Sequence, residues 1–318
     1  MNKQRNHSLI KDTILIFIAI VFFVIGPILL ANWQVTRNYL QFSPIKLVEN
    51  IQLGDDEHAI RYFASYGFDL KRIRQSKQDV PEIYLANLPR ELPRMRDIRE
   101  KKKLFFSTLL PPILKVNEVI YNDRQRLKKI ILALTLGEEV SDRDYYWLTR
   151  KLVQYKIKVD DVQDFVDRAD AILEELLCRM NVIPPELALA QAAQESGWGT
   201  SRFAQKGNAL YGQWTWGNGC GMVPKRRGEG KKHRMKCFNS IIEAVDSYML
   251  NLNTHRAYAA LRKKRRAYRD DQPIDVMPLV ETLTGYSVEG PQYVAKIKKI
   301  IRVNRLGDFS NARLMTDH

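Results

Sequence analysis

The chain has 318 residues, enough for one sizeable domain with attachments or for two small domains. Lysine and arginine number 51 against 36 aspartates and glutamates, which gives a formal net charge of +15. Peptidoglycan with free peptide carboxylates, an anionic lipid surface and nucleic acid would each attract such a chain, so charge does not choose among them. No internal repeat of about 20 to 50 residues is evident, which excludes a repeat architecture.

Residues 13–31 form an uncharged stretch dominated by Ile, Leu, Val and Phe. At the rise of an α-helix, a stretch of this length crosses the hydrocarbon core of a bilayer. Basic residues precede it within residues 1–12, whereas only Arg37 follows closely, so the positive-inside rule leaves the N-terminus in the cytoplasm. A cleavable signal peptide is the competing interpretation, but the apolar region is long for one and lacks a clear small-x-small site. We therefore expect an uncleaved anchor in a bacterial inner membrane, with the rest of the chain in the periplasm.

Residues 32–103 are polar and mixed, and four prolines interrupt any long helix there: Pro44, Pro81, Pro89 and Pro93. The proline-spaced stretch Asn87–Arg94 predicts extended backbone. We interpret the whole segment as a juxtamembrane stalk. The basic run Arg90–Lys103 is either a solvated linker or a contact with lipid head groups or the cell wall.

From Leu104 onward the apolar residues recur at helical spacing, which predicts packed helices. Ser141 is a suitable N-cap for a helix over residues 142–155, and Asp160 or Asp161 for the next helix. This part of the chain divides into a helical extension, a main domain and a tail: residues 104–158, 159–310 and 311–318.

The stretch Pro184–Gly199 predicts a helix with both ends specified. Its two leading prolines suit a first helical turn, and its two closing glycines suit a C-terminus. Glu195 then lies in the last turn, with Gln191 one turn earlier on the same face. The negative end of the helix dipole and any burial both disfavour an ionised carboxylate there. A carboxyl that stays protonated near neutral pH suits a general acid, although a plain polar residue near a helix end is the competing interpretation.

Within residues 211–239, Gly, Trp, Thr, Val and Cys replace the helical pattern and predict a short β-hairpin lobe, with a turn around Gly228–Gly230. Cys220 and Cys237 flank a basic loop and are candidates for a disulfide across the hairpin, which fits an oxidising compartment. A zinc site using His233 and Cys237 lacks a fourth ligand at any usual spacing, so we expect no metal.

Four sequence blocks follow one another in the second half of the chain: Gln191–Gly199, Asn208–Gly212, Arg234–Tyr258 and Gly285–Ile297. The first ends in Glu-Ser-Gly-Trp-Gly, the second reads Asn-Ala-Leu-Tyr-Gly and the last begins Gly-Tyr-Ser-Val-Glu-Gly-Pro. Together they resemble the glucosaminidase family of peptidoglycan hydrolases, glycoside hydrolase family seventy-three, over roughly residues 160–308. This resemblance implies a lysozyme-like helical domain.

The resemblance also implies that Glu195 is the acid that protonates the leaving oxygen of a glycosidic bond. Family members often carry a second acidic residue in the β-lobe, where this sequence offers Glu229 as the sole carboxylate of Gly221–Gly230. Glu229 falls at the expected turn rather than on a strand, which departs from the family pattern. Alternatively, the N-acetyl group of the substrate assists, and Tyr286, which matches a family tyrosine, positions that group or the water.

Aromatic rings are expected to line a carbohydrate groove beside the acid: Trp198, Tyr211, Trp214, Trp216 and Tyr293. Taken singly, each ring is at least as consistent with a structural role as with sugar binding. We expect Gln191 to contact substrate as well. Asn208 matches a family asparagine, and we expect it to hold the turn or contact an acetamido group.

The sequence thus predicts a mainly α-helical (α+β), lysozyme-like domain with a small β-hairpin lobe and an N-terminal transmembrane helix. The expected reaction is cleavage of peptidoglycan glycan strands at N-acetylglucosamine, without a cofactor. A lytic transglycosylase and a non-catalytic wall-binding or scaffold protein are the alternatives. The basic runs Lys225–Lys236 and Arg262–Arg269 have no accompanying nucleic-acid motif, so we expect no nucleic-acid partner. The sequence does not specify a protein partner.

Overall fold

The structure is a computed structural model that describes residues 47–48, 58–216, 219–224, 233–268, 272 and 274–315. The expected membrane anchor at residues 13–31 and the turn at Gly228–Gly230 lie outside the described residues. Across the described ranges, no helix combines the length and the apolar character that crossing a bilayer requires.

Helices make up most of the described chain. The α-helices, in chain order, are α1 (His58–Ser65), α2 (Leu70–Arg74), α3 (Ile98–Leu136), α4 (Asp142–Gln154), α5 (Val162–Arg179), α6 (Pro185–Ser196), α7 (Arg202–Gly207), α8 (Ile241–Thr254), α9 (Ala259–Arg265), α10 (Val276–Val280) and α11 (Pro291–Val303). Short 3₁₀ helices cover Arg256–Tyr258, Glu281–Gly285 and Leu306–Phe309. The strands are β1 (Leu47–Val48), β2 (Tyr84–Leu85), β3 (Trp214–Thr215), β4 (Gly221–Met222) and β5 (Arg234–Lys236).

The described chain divides into two compact units, and the division falls within α3. One unit contains Val119–Asn181, and the other contains Ile45–Glu118 together with Val182–His318. The predicted boundary between residues 158 and 159 lies inside the first unit.

In the first unit, the helix caps follow the predicted chemistry. The Ser141 hydroxyl accepts a hydrogen bond from the Asp144 backbone N–H at 3.2 Å and begins α4. The Asp161 carboxylate accepts from the Asp164 N–H at 2.8 Å and begins α5. Each cap satisfies a backbone donor that has no partner inside its helix, which confirms Ser141 and selects Asp161 over the residue before it.

In the second unit, α6 is a buried helix at the centre of the packing. Pro185 occupies its first turn, and Gly197 ends it in the left-handed conformation at φ +58°, as predicted. All side chains of Leu187–Ala193 are buried, because small alanines alternate with leucines and neighbours approach closely. The neighbours are α11, the 3₁₀ helix Leu306–Phe309 and α10.

A small three-stranded antiparallel sheet, in the order β3-β5-β4, takes the place of the predicted β-hairpin. Met235 of β5 pairs with Trp214 on one side and with Met222 on the other. The predicted disulfide between Cys220 and Cys237 is present, with 5.3 Å between the Cα atoms. The described fold is therefore mainly helical with a small antiparallel sheet, as expected. A separate parallel pair joins β1 to β2.

Residues 58–103 differ from the stalk interpretation, because they pack as part of the second unit. The side chains of Leu88 and Leu92 are almost fully buried, and Gly199 lies against both. A Cβ atom at Gly199 would be 3.1 Å from a Leu92 methyl carbon. Residues 90–94 form a turn rather than extended backbone. Prolines therefore prevent a long helix here without preventing burial.

Replacing Leu92 by alanine tests whether this segment belongs to the folded unit. We expect Leu92→Ala to lower the free energy of unfolding by about 2 to 5 kcal/mol, because it empties a fully buried site. Leu136→Ala is the matched control, since Leu136 is exposed. Urea titrations of both variants followed by circular dichroism provide the measurement. Equal, near-zero effects in the two variants would favour the stalk interpretation.

Candidate active site

Glu195 lies in the last turn of α6 and is half-buried. Burial raises the pKa of its carboxyl above the usual range. A hydrogen bond from Tyr293 opposes this shift, whereas the negative charge of Glu289 adds to it. The direction of the pKa shift agrees with the prediction for this helix end and favours a protonated carboxyl.

Gly212, the last residue of the Asn-Ala-Leu-Tyr-Gly block, lies directly against the Glu195 carboxyl. A Cβ atom at this position would be 2.6 Å from Oε2 of Glu195, which is closer than real Cβ contacts allow. The backbone of Gly212 also has φ +64°, a conformation that favours glycine. The block therefore ends in glycine because its backbone closes over the carboxyl.

Two stacked tyrosine pairs surround this carboxyl. Tyr211 and Tyr248 stack with ring centroids 3.8 Å apart and planes 7° apart. Tyr286 and Tyr293 stack at 5.3 Å and 8°. The Tyr286 hydroxyl donates to the backbone carbonyl of Tyr211 at 2.9 Å, which joins the two pairs. Tyr258 packs at 5.7 Å on the Tyr286 ring.

A chain of buried hydrogen bonds runs from α8 through α6 to α11 and ends at Tyr293, beside Glu195. The Tyr248 hydroxyl donates to Gln191 Oε1 at 2.7 Å. Gln191 Nε2 donates in turn to the Tyr293 hydroxyl oxygen at 2.8 Å. The Tyr293 hydroxyl lies beside the Glu195 carboxyl and lowers its pKa by hydrogen bonding to the ionised form. Buried polar groups joined in this way hold one another in fixed orientations.

The aromatic residues predicted to line a sugar groove separate into exposed and buried rings. Trp214 and Trp216 have 43% and 73% of their surface exposed, and the Trp214 ring meets the edge of His233 at 4.6 Å. Tyr211 and Tyr293 are only 2% and 1% exposed. In this structure, the two tryptophans present faces to solvent, whereas the two tyrosines are covered by protein.

Trp198 belongs to a third group. It packs edge-on against Phe105 and Phe106 of α3, at 5.6 Å and 5.7 Å. The Lys102 ammonium lies 4.7 Å from the centre of its ring. These contacts join the end of α6 to the start of α3 and describe a structural position for this ring.

Asn208 holds the turn that follows α7. Its backbone is in the left-handed conformation at φ +49°, which asparagine tolerates better than most residues. Its side-chain amide donates to the carbonyls of Ala86 and Phe238, at 3.2 Å each. Of the two roles expected for Asn208, the described contacts correspond to holding the turn.

Two of the remaining site predictions concern the β-lobe. Glu229, the candidate second carboxylate, lies outside the described residues. Cys237 is bonded to Cys220, so its thiolate is not available for the zinc site considered with His233.

Sequence reasoning missed three contributors to this site. Tyr248 was not assigned a role, since its reach to Gln191 depends on how α8 packs on α6. The approach of Gly212 to Glu195 has no signal in the sequence, because it depends on how the loop packs against the end of α6. The negative charge of Glu289 raises the pKa of Glu195, and Glu289 itself forms an ion pair with Lys296 at 2.6 Å.

Comparisons with known proteins cover the same part of the chain. Residues 171–306 match the glucosaminidase family, described as mannosyl-glycoprotein endo-beta-N-acetylglucosaminidase. The chain is 31% identical to Protein bax of Escherichia coli K12 over 194 residues, which is 61% of this chain and 66% of that protein. It is 29% identical over 140 residues to Peptidoglycan hydrolase FlgJ of Escherichia coli O157:H7 and of strain K12, covering 40% of this chain and 42% of FlgJ. No solved structure gives a significant match.

The stacked pair Tyr211 and Tyr248 offers a matched test of the hydrogen-bond chain. Tyr248→Phe leaves Gln191 Oε1 buried without its donor, so we expect the free energy of unfolding to fall by about 1 to 3 kcal/mol. Tyr211→Phe should change it by less than about 0.5 kcal/mol, because the buried Tyr211 hydroxyl has no hydrogen-bond partner among the described residues. Chemical denaturation of both variants is the measurement, and equal losses would contradict the assignment.

Proposed function

Because residues 171–306 give this chain a domain of the glucosaminidase family, we propose that it cleaves peptidoglycan at the glycosidic bond of N-acetylglucosamine. The proposal assigns the role of general acid to Glu195. The observation that carries it is a carboxyl at the end of a buried helix, inside the matched segment, with its pKa raised by burial. Matches to the curated relatives span less than two thirds of each, so the activity of the whole protein is part of the proposal.

Glycosidic cleavage requires a proton for the leaving oxygen and stabilisation of positive charge at the sugar carbon. A protonated Glu195 supplies the proton. Its raised pKa keeps a larger share of the carboxyl protonated near neutral pH than an ordinary glutamate would. Gly212 leaves room for this carboxyl, since a Cβ atom at that position would be 2.6 Å from Oε2.

The second catalytic group is assigned to the acetamido group of the substrate. Among the described residues, Glu289 is the carboxylate whose negative charge raises the pKa of Glu195. It forms an ion pair with Lys296, so we do not assign it the second catalytic role. A substrate acetamido group can attack the sugar carbon in its place, as in substrate-assisted glycosidases. Water then opens the intermediate in a hydrolase. A lytic transglycosylase instead cleaves the neighbouring bond, so that the intermediate forms on N-acetylmuramic acid, and a hydroxyl of that same sugar then displaces the acetamido group and closes an anhydro ring.

The exposed rings of Trp214 and Trp216 are proposed to stack on sugars of the glycan strand. The net charge of +15 favours a polymer that carries peptide carboxylates. We place this reaction in the periplasm, with residues 13–31 as the membrane anchor, because the apolar segment and the charges flanking it favour that orientation.

The proposal predicts that Glu195→Gln abolishes release of fragments from purified peptidoglycan sacculi by the full-length protein. A glutamine retains the shape of the side chain but has no acidic proton, so the rate should fall by at least about 100-fold. Released fragments are reduced with borohydride and identified by mass spectrometry. Glu281→Gln serves as the control, since Glu281 is an exposed member of an ion pair with Lys298.

Three outcomes of this experiment have distinct meanings. A reduced N-acetylglucosamine end, lost in the Glu195→Gln variant, supports the glucosaminidase. An anhydro-muramyl end assigns the chain to the transglycosylases instead. Sacculi that bind the protein without release of fragments contradict an enzymatic role and support the wall-binding or scaffold alternative.

A further inference from the structure

Three side chains beside Glu195 are buried too deeply to bind a sugar directly. Gln191 and Tyr248 are fully buried, and Tyr293 is 1% exposed. They belong to α6, α8 and α11, so the hydrogen bonds among them cross-link three separate helices. The last of the three, Tyr293, reaches the Glu195 carboxylate.

We propose that Tyr293, Gln191 and Tyr248 are positioning residues that hold the Glu195 carboxyl in one orientation for proton transfer. This inference rests on the proposed function in so far as it concerns proton transfer to a sugar. The orientation itself is a property of the folded protein and can be measured without turnover.

The order of donors along the chain is what fixes the carboxyl. The Tyr248 hydroxyl proton goes to Oε1 of Gln191, so the amide must turn Nε2 toward Tyr293. Nε2 then occupies an acceptor position on the Tyr293 oxygen, which leaves the Tyr293 proton for Glu195. If the amide flipped, Oε1 would face Tyr293 and compete with Glu195 for that proton. Tyr248 therefore acts on Glu195 through the orientation of one amide.

Packing limits how far the two tyrosines can move. The Tyr248 ring is stacked on Tyr211, and the Tyr293 ring is stacked on Tyr286. The Tyr286 hydroxyl is itself bonded to the backbone of Tyr211. Gly212, the next residue along the chain, lies so close to the Glu195 carboxyl that a Cβ atom there would be 2.6 Å from Oε2. The loop that contains Tyr211 and Gly212 thus packs on the Tyr248 ring through one residue and lies beside Glu195 through the next.

The described groups that face Glu195 act on its pKa in opposite directions. Burial raises the pKa, the Tyr293 donor lowers it by stabilising the ionised form, and the Glu289 carboxylate raises it. Tyr248, Tyr258 and Tyr286 are neutral near pH 7, since burial raises the pKa of each phenol. Removing the Tyr293 hydroxyl should therefore raise the pKa of Glu195, and removing the charge of Glu289 should lower it.

The decisive experiment is a ¹³C NMR titration of the full-length protein labelled at glutamate carboxyl carbons. The Glu195 signal is assigned by its loss in the Glu195→Gln variant. We expect Tyr293→Phe and Tyr248→Phe both to shift the titration of this signal to higher pH, and Glu289→Gln to shift it to lower pH. Tyr84→Phe is the control, because it removes a buried hydroxyl of β2 that takes no part in these hydrogen bonds.

Activity on sacculi provides the second readout. In Tyr293→Phe and Tyr248→Phe, we expect kcat to fall by about 10- to 100-fold through misorientation, with KM changed by less than about twofold. The alkaline limb of the pH profile should move to higher pH in both variants. Thermal unfolding identifies a variant that does not fold. Because the two substitutions lie on different helices, the other variant still provides the test if one of them fails to fold.

The two readouts separate this inference from the proposed function. NMR shifts without any release of fragments by the unmodified protein would preserve the positioning role and reject the reaction. Fragment release by the unmodified protein, with Tyr293→Phe and Tyr248→Phe both titrating like Tyr84→Phe, would preserve the reaction and overturn the positioning role.

Discussion

The burial of α6 along Glu186–Ala193 is the constraint on which the rest of this unit depends. Its alternating alanines and leucines leave little side-chain volume, so α11 and the following 3₁₀ helix can pack closely on it. At its C-terminal turn the helix reaches partly exposed positions, so a side chain there can be half-buried. Glu195 lies in that turn, and its raised pKa follows from the packing rather than from a neighbouring charge alone. The same packing requires polar groups such as Gln191 to find partners within the protein.

Features with a local cause could be predicted from the sequence. The caps at Ser141 and Asp161 and the glycine that ends α6 depend on side chains within a few residues of each helix end. Features that depend on distant contacts could not. Leu88 and Leu92 show no regular spacing, and their burial depends on Gly199, which follows about a hundred residues later. Proline content identified the end of regular structure there but gave no information about packing.

The candidate site shows the same division. The position of Glu195 follows from local helix chemistry, and this residue lies inside the segment that matches the glucosaminidase family. The aromatic residues are of one chemical type but differ in burial, because the exposure of each ring depends on which parts of the protein cover it. Trp214 and Trp216 are exposed, whereas Tyr211 and Tyr293 are buried. Residues of one chemical type near a sequence motif can thus differ in burial, and only the structure reveals which rings are exposed.

The most direct test of this account is a crystal structure of the full-length Glu195→Gln variant bound to a peptidoglycan oligosaccharide. The account predicts that the side chain at position 195 lies within about 2.6 to 3.2 Å of a glycosidic oxygen, the reach of a general acid. It also predicts that at least one sugar packs on the ring of Trp214 or Trp216. An oligosaccharide bound elsewhere on the chain, with position 195 out of reach of every glycosidic oxygen, would contradict it.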